Sequence, residues 1–213
     1  MTANGMNEEV CIVTGASRGI GQATAAALVV EHGRRVVAVS RNAKGLERLV
    51  HDLGARGGSL EPVVLDLEQK GAIGVLVDAL KGRRVEALVN NAGLLVNRPF
   101  GEWTAEDLQR VFAINASVPF LLAQALAGRE TGGCARHVVN IGSMGGFQGS
   151  AKFNGLAGYS ASKAALACLT ECLAEETKAM GGSANCLAIG AVDTEMLRAA
   201  FPGYAAPVSA ADM

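Results

Sequence analysis

An α/β fold built on a doubly wound parallel sheet is what this sequence predicts, and three observations predict it. Short β-branched runs alternate with longer helical stretches along the chain, the pattern of successive βαβ units. The strand-like runs are almost uniformly apolar instead of alternating in polarity, as strands covered by helices on both faces must be. A chain of 213 residues with no internal repeat and no low-complexity linker has room for one sizeable core, so residues 1–213 read as a single domain.

The elements follow in order. A strand at 10–13 leads through a glycine-rich turn into a helix at 20–31, and a strand at 36–39 into a helix at 43–53. Residues 54–58, with three glycines, read as a flexible turn before a third strand at 63–65. A helix at 71–81 precedes a strand at 87–89. A long helix over 105–127 opens on Thr104 with Asp107 three positions on, a capping-box start. Its apolar stretch, 111–127, contains Asn115, Pro119 and Gln124 and is too short to span a bilayer, so it reads as a buried or interface helix. A strand at 137–141, a helix at 157–180 and a strand at 184–189 complete the series.

Half of the residues are hydrophobic and 18% are charged, below the roughly 25% of an ordinary soluble domain. That balance predicts a largely buried sheet and an oligomer. Net charge is −1 and the basic residues do not cluster, so the surface needed to neutralise a nucleic acid is missing. Residues 1–9 carry no basic segment followed by an apolar one, which argues against secretion and for a cytoplasmic protein with reduced thiols. Cys168 and Cys172 share a helix face at i, i+4 spacing. Without a histidine or a second cysteine pair beside them, they read as small buried hydrophobes and no metal site is expected.

The turn after the first strand is Thr14-Gly15-Ala16-Ser17-Arg18-Gly19-Ile20-Gly21. Its glycines allow a tight turn and close backbone approach to a pyrophosphate seated on the positive end of the following helix. The position that would hold a ribose 2′-hydroxyl through Asp or Glu is instead Ser40-Arg41. A guanidinium there can fork onto a 2′-phosphate, with Arg18 as a second positive charge, which favours NADP(H) over NAD(H). Asp66 and the run Asn90-Asn91-Ala92-Gly93 follow the third and fourth strands, at the carboxyl edge where such sheets bind ligands.

Ser143 follows the fifth strand, and the next helix carries Tyr159 and Lys163, four apart and so on one helical face. A free tyrosine titrates near pH 10 and needs a shift of roughly three units, about 4 kcal/mol, to exchange protons at neutral pH. A neighbouring lysine cation and a cationic nicotinamide both act in that direction. Ser143 can donate to a carbonyl oxygen as charge develops there. Asn115, awkward within a helix, is a candidate for holding a proton-relay water.

Taken together these residues resemble the short-chain dehydrogenase/reductase family, from about residue 10 to about residue 196. The resemblance rests on the glycine turn at 14–21, on Asn90 to Gly93, and on Asn115, Ser143, Tyr159 and Lys163. It implies the Rossmann strand order. It implies Tyr159 as general acid/base, Lys163 lowering its pKa and binding the nicotinamide ribose, Ser143 orienting the substrate, and Asn115 supporting a proton relay. It also implies a cofactor held by Gly15, Ser17, Arg18, Gly19, Ile20, Gly21, Arg41, Asp66, Asn91, Ala92, Gly93, Gly190 and Thr194. Similar proteins are commonly carbonyl or 3-oxoacyl reductases, often dimers or tetramers paired through the helices matching 105–127 and 157–180.

Three features depart from the family pattern. Ile189-Gly190 stands where Pro-Gly is usual, removing the proline's fixed φ. The segment from Ser143 to Tyr159 is longer than usual and carries Phe147, Phe153 and Leu156. The chain stops at Met213, short of the family's last helix and strand, which would leave the sixth strand as an exposed edge. Residues 191–210 resemble a substrate lid. The sequence thus reads as an oxidoreductase moving a hydride between NADP(H) and a small carbonyl or alcohol. The alternative is a nucleotide-binding regulatory or interaction protein with an impaired site.

Overall fold

A computed structural model describes residues 9–80, 82–127 and 135–213. Cys134, the last position of the helix expected at 71–81, and the first eight residues lie outside the described residues.

Six parallel strands form one sheet: β1 (Glu9–Thr14), β2 (Val36–Ser40), β3 (Leu60–Val64), β4 (Arg84–Asn90), β5 (His137–Ile141) and β6 (Ser183–Leu187). Their order is β3-β2-β1-β4-β5-β6, the doubly wound Rossmann arrangement. Because successive strand residues face opposite sides, β1 feeds two separate cores. Val10 and Ile12 pack with Leu88, Leu122 and Leu126 on one face. Cys11 and Val13 pack with Ala25, Val29, Leu46 and Leu49 on the other. The second face is covered by α1 (Gly19–Val30) and α2 (Ala43–Leu53). The first is covered by α3 (Ala72–Leu80), α5 (Val118–Leu126) and α6 (Ala157–Lys178), with α4 (Ala105–Phe112) packed against α6.

Burial does not extend to the edges. β2 is buried throughout, whereas β3 shows Glu61, Pro62 and Val64 to solvent and Leu187 of β6 is exposed. The expected strand at 63–65 therefore starts earlier and takes in Pro62, a residue without an N–H that only an edge strand tolerates. The sixth strand likewise ends at Leu187 and not at 189. Residues 54–59 form a short 3₁₀ turn.

The long helix expected at 105–127 is two helices. A π-turn at Ala113–Ser117 separates α4 from α5. Pro119, in the first turn of α5, has no N–H to give the carbonyl four residues back, that of Asn115. The Val118 amide reaches Ala113 instead. Cys168 and Cys172, expected buried, are exposed, because α6 turns Lys163, Leu166 and Thr170 toward the protein and leaves its other face outward. After β6 comes a small unit that the periodicity did not reveal: β7 (Val192–Asp193), α7 (Glu195–Ala200) and β8 (Val208–Ser209), with β7 and β8 paired.

The capping box is present. Thr104 Oγ accepts from the Asp107 amide at 3.1 Å, and the Asp107 carboxylate accepts from the Thr104 amide. The Thr104 hydroxyl, which donates to the same carboxylate at 2.8 Å, is the main cause holding the Asp107 carboxyl below its ordinary range, with the Thr104 amide and Arg98 adding to it. Replacing Thr104 by Ala is expected to lower unfolding free energy by about 1 kcal/mol in a denaturant titration. An unchanged midpoint would show that the cap contributes nothing.

Candidate active site

Strand order reverses between β1 and β4, and the crevice outside the carboxyl ends of such strands is where ligands bind. Thr14, the last residue of β1, ties the two sides together. Its hydroxyl accepts from the amides of Asn91 and Ala92, each at 3.0 Å, and donates to the Val89 carbonyl at 3.3 Å. The Asn91 side chain returns the link, donating to the carbonyls of Thr14 (2.9 Å) and Gly15 (3.2 Å). These bonds leave no room for a side chain at Gly15 or Gly21. A Cβ on Gly21 would sit 2.3 Å from Asn91 Nδ2, and one on Gly15 2.9 Å from Ala92 Cα. The two glycines are therefore required by protein packing against Asn91 and Ala92, whatever approaches the turn from outside. Gly15 and Gly19 also have left-handed φ, 67° and 54°, and a Cβ on Gly19 would lie against Thr194.

The resulting cavity, about 400 Å³, runs along this edge. At one end stand Ser17, Arg18, Ser40, Arg41, Asp66 and Glu68; at the other, Ile141, Tyr159, Lys163 and Ile189. The Ser17 and Ser40 hydroxyls bond each other at 2.8 Å. Both arginines have carboxylate partners: Arg18 pairs with Glu195 of α7, and Arg41 lies 3.3 Å from Glu68 and 3.7 Å from Asp66. Glu68 also receives Arg110 from α4 at 3.3 Å. Helix α1 begins here with no side-chain cap and no acidic residue in its first turn, so its amino end is free to meet an anion.

At the other end Tyr159 and Lys163 do share one face of α6, with Nζ 5.9 Å from the phenol ring centre. Lys163 is 5% exposed and donates to the Ile141 carbonyl at 2.7 Å. Burial pulls its pKa from 10.5 to about 8, with the Cys186 thiol opposing. The phenol does not behave as the Tyr–Lys spacing suggests. Burial raises its pKa, and a hydrogen bond with Ser143 draws it back in part. The expected lowering is not present in the protein alone because desolvation outweighs that bond and the ammonium is turned onto the Ile141 carbonyl.

Asn115, fully buried in the π-turn, is committed as well. Its Oδ1 accepts from the Leu94 amide at 2.8 Å, and its Nδ2 donates to the Leu94 carbonyl and the Ser162 hydroxyl, both at 2.9 Å. Both amide hydrogens are thus used within the protein, while Oδ1 accepts from Leu94 alone and keeps a second lone pair.

Most of the expected residues line the cavity: Gly15, Ser17, Arg18, Gly19, Ile20, Arg41, Asp66, Asn91, Ala92, Gly93, Tyr159, Lys163 and Thr194. Gly21 lies beneath Asn91, and Gly190 is exposed outside the lining, where Ile189 takes its place and accepts from the Met144 amide. Ser143 and Asn115 stand behind the wall, bonded to Tyr159 and Leu94 respectively. The sequence reading missed Glu68 and Glu195. Their only signal is an opposite charge brought near by folding.

The buried lysine has a consequence for stability. Between pH 8 and 10.5 the unfolded chain still holds the Lys163 proton that the folded chain has released, so rising pH favours folding. The stability difference between wild type and Lys163→Met should shift toward wild type across that window, by up to about 3 kcal/mol. A pH-independent difference would contradict the assigned burial effect.

Residues 9–205 match the family model described as short chain dehydrogenase. The chain is 32% identical over 198 residues to a 3-oxoacyl-[acyl-carrier-protein] reductase from Synechocystis, covering 92% of this chain and 78% of that one. Among solved structures it resembles actinorhodin polyketide ketoreductase with NADPH (TM-score 0.80, 31% identity, 90% of this chain and 74% of the other). It also resembles a short-chain dehydrogenase from Shigella flexneri complexed with NADP (TM-score 0.82, 27% identity, 99% and 89%). A match of that extent, on a Rossmann sheet with this cavity at its switch point, makes the chain a member of the short-chain dehydrogenase family of oxidoreductases.

Proposed function

We propose that the protein is an NADP(H)-dependent reductase acting on a small carbonyl compound, or on the corresponding alcohol in reverse, with Tyr159 as the proton-transfer group. One observation carries this reading: a single cavity has two arginines at one end and Tyr159 with Lys163 at the other. The NADPH and NADP in the two similar structures support it.

The residues fit such a cofactor. The uncapped start of α1 suits the pyrophosphate, while Arg18 and Arg41 suit a 2′-phosphate. Asp66 and Glu68 beside Arg41 moderate that charge without removing it. Asn91, Ala92 and Gly93 form the floor between the ends. When bound, the nicotinamide supplies or accepts the hydride.

The protein's part is to manage the proton. The Tyr159 hydroxyl, kept protonated by burial, gives its proton to the substrate oxygen during reduction. Ser143, already bonded to that hydroxyl, donates to the same oxygen and spreads the developing charge. Lys163, with a pKa of about 8, is mostly protonated at neutral pH and stabilises the phenolate left behind. Asn115 supports the proton relay, and its amide side chain fixes Leu94. Residues 191–210 act as the lid. Leu108, Phe120 and Leu121 on α4 and α5, with Cys168 and Cys172 on α6, give an exposed, largely apolar face that suits a second copy of the chain. No helix among the described residues is long and apolar enough to cross a membrane.

Tyr159→Phe should lower kcat for NADPH-dependent carbonyl reduction by about 10² to 10⁴ while leaving NADPH binding intact. Arg41→Asp should shift the kcat/KM ratio toward NADH. Undiminished turnover in the first variant would reject the proton-transfer assignment, and an unchanged cofactor ratio in the second would remove Arg41 from the site.

A further inference from the structure

Among the described residues, three contacts of different kinds join the β7–α7–β8 unit to the cavity rim. Thr194 packs against the turn, where a Cβ on Gly19 would lie 3.3 Å from its methyl group. Asn97 Nδ2 donates to the Ala200 carbonyl at 2.8 Å. The third contact is ionic: Arg18, in the glycine turn, donates to the carboxylate of Glu195 at the start of α7. Both of these side chains are more than half exposed, at 54% and 57%, so the pair can open without burying a stranded charge.

We propose that Glu195 is a specificity-determining residue. Its carboxylate holds the Arg18 guanidinium in the free protein and competes for it with the 2′-phosphate of an incoming dinucleotide. The inference rests on the reading of Arg18 as a 2′-phosphate ligand. It follows that the pair weakens NADP(H) binding and leaves NAD(H) binding unaffected, because only the former has to displace the carboxylate.

The same logic does not extend to Arg41. Its partner Glu68 keeps a second cation, Arg110, when Arg41 turns away, so releasing Arg41 leaves that carboxylate paired. Glu195 has weaker alternatives. Arg18 is the main cause holding its carboxyl low, with Arg198 and Arg48 contributing less, and Arg198 is already engaged by Asp193 at 2.7 Å. Displacing Glu195 also removes the ionic one of the three contacts that hold α7 to the rim. The form of the dinucleotide is thereby coupled to how firmly α7 is held.

Fluorescence titrations of NADPH and NADH on wild type, Glu195→Gln, Arg18→Gln and the double variant test this. An exposed pair biases an equilibrium by about two- to fivefold. Glu195→Gln should therefore tighten NADPH by about that factor, leave NADH unchanged, and have no effect in the Arg18→Gln background. If Arg18→Gln weakens NADPH but Glu195→Gln changes neither cofactor, or tightens both equally, the competition is overturned while the cofactor reading stands. If Arg18→Gln leaves the NADPH-to-NADH preference intact, Arg18 is not the phosphate ligand and the inference falls with that part of the reading. Hydrogen exchange at 195–200 gives an independent readout: faster exchange with NADPH than with NADH is expected, and equal exchange would contradict the coupling.

Discussion

The site depends on the bonds between the end of β1 and the segment after β4. The Thr14 hydroxyl satisfies two consecutive amides, those of Asn91 and Ala92, and the Asn91 side chain satisfies two consecutive carbonyls, those of Thr14 and Gly15. Loop backbone at a sheet edge has no ladder partner of its own, and leaving such groups unpaired costs about 1–3 kcal/mol each. Satisfying them from the opposite strand fixes the floor of the cavity before any ligand arrives. It also explains Gly15 and Gly21, since any Cβ there would strike Asn91, Ala92 or the turn itself.

The other end of the cavity is organised by burial. Lys163 is held by a main-chain carbonyl in an environment that penalises its charge, and Tyr159 sits where the neutral phenol is favoured. Desolvation pushes the two pKa values apart: the lysine falls to about 8 and the tyrosine rises above its ordinary value. The protein alone therefore stores a protonated tyrosine beside a lysine poised near neutral pH. Charges brought by ligands complete the electrostatics.

Much of this was legible in the chain. Apolar runs separated by helical stretches announced the sheet, because strands covered on both faces cannot alternate in polarity, and Thr104 with Asp107 announced the start of α4. Tyr159 and Lys163 were paired by helical periodicity alone. What could not be read depended on distance or on a local exception. A π-turn interrupts the helix at a position where an apolar pattern continues unbroken, and Pro62 lies within a strand because that strand happens to be at the edge. Glu68 and Glu195 acquire their meaning only when folding brings arginines to them from 27 and 177 positions away. Cys168 and Cys172 looked like core residues because their spacing defines a helix face without saying which way it points.

The most direct measurement of the central claim is NADPH affinity in Thr14→Val, an isosteric change that removes the hydroxyl and leaves the Asn91 and Ala92 amides unpaired. If the interlock preforms the cavity, the dissociation constant should rise by about tenfold or more, the equivalent of one buried hydrogen bond left unmade, with far-ultraviolet circular dichroism unchanged. Wild-type affinity in a folded Thr14→Val protein would contradict the account.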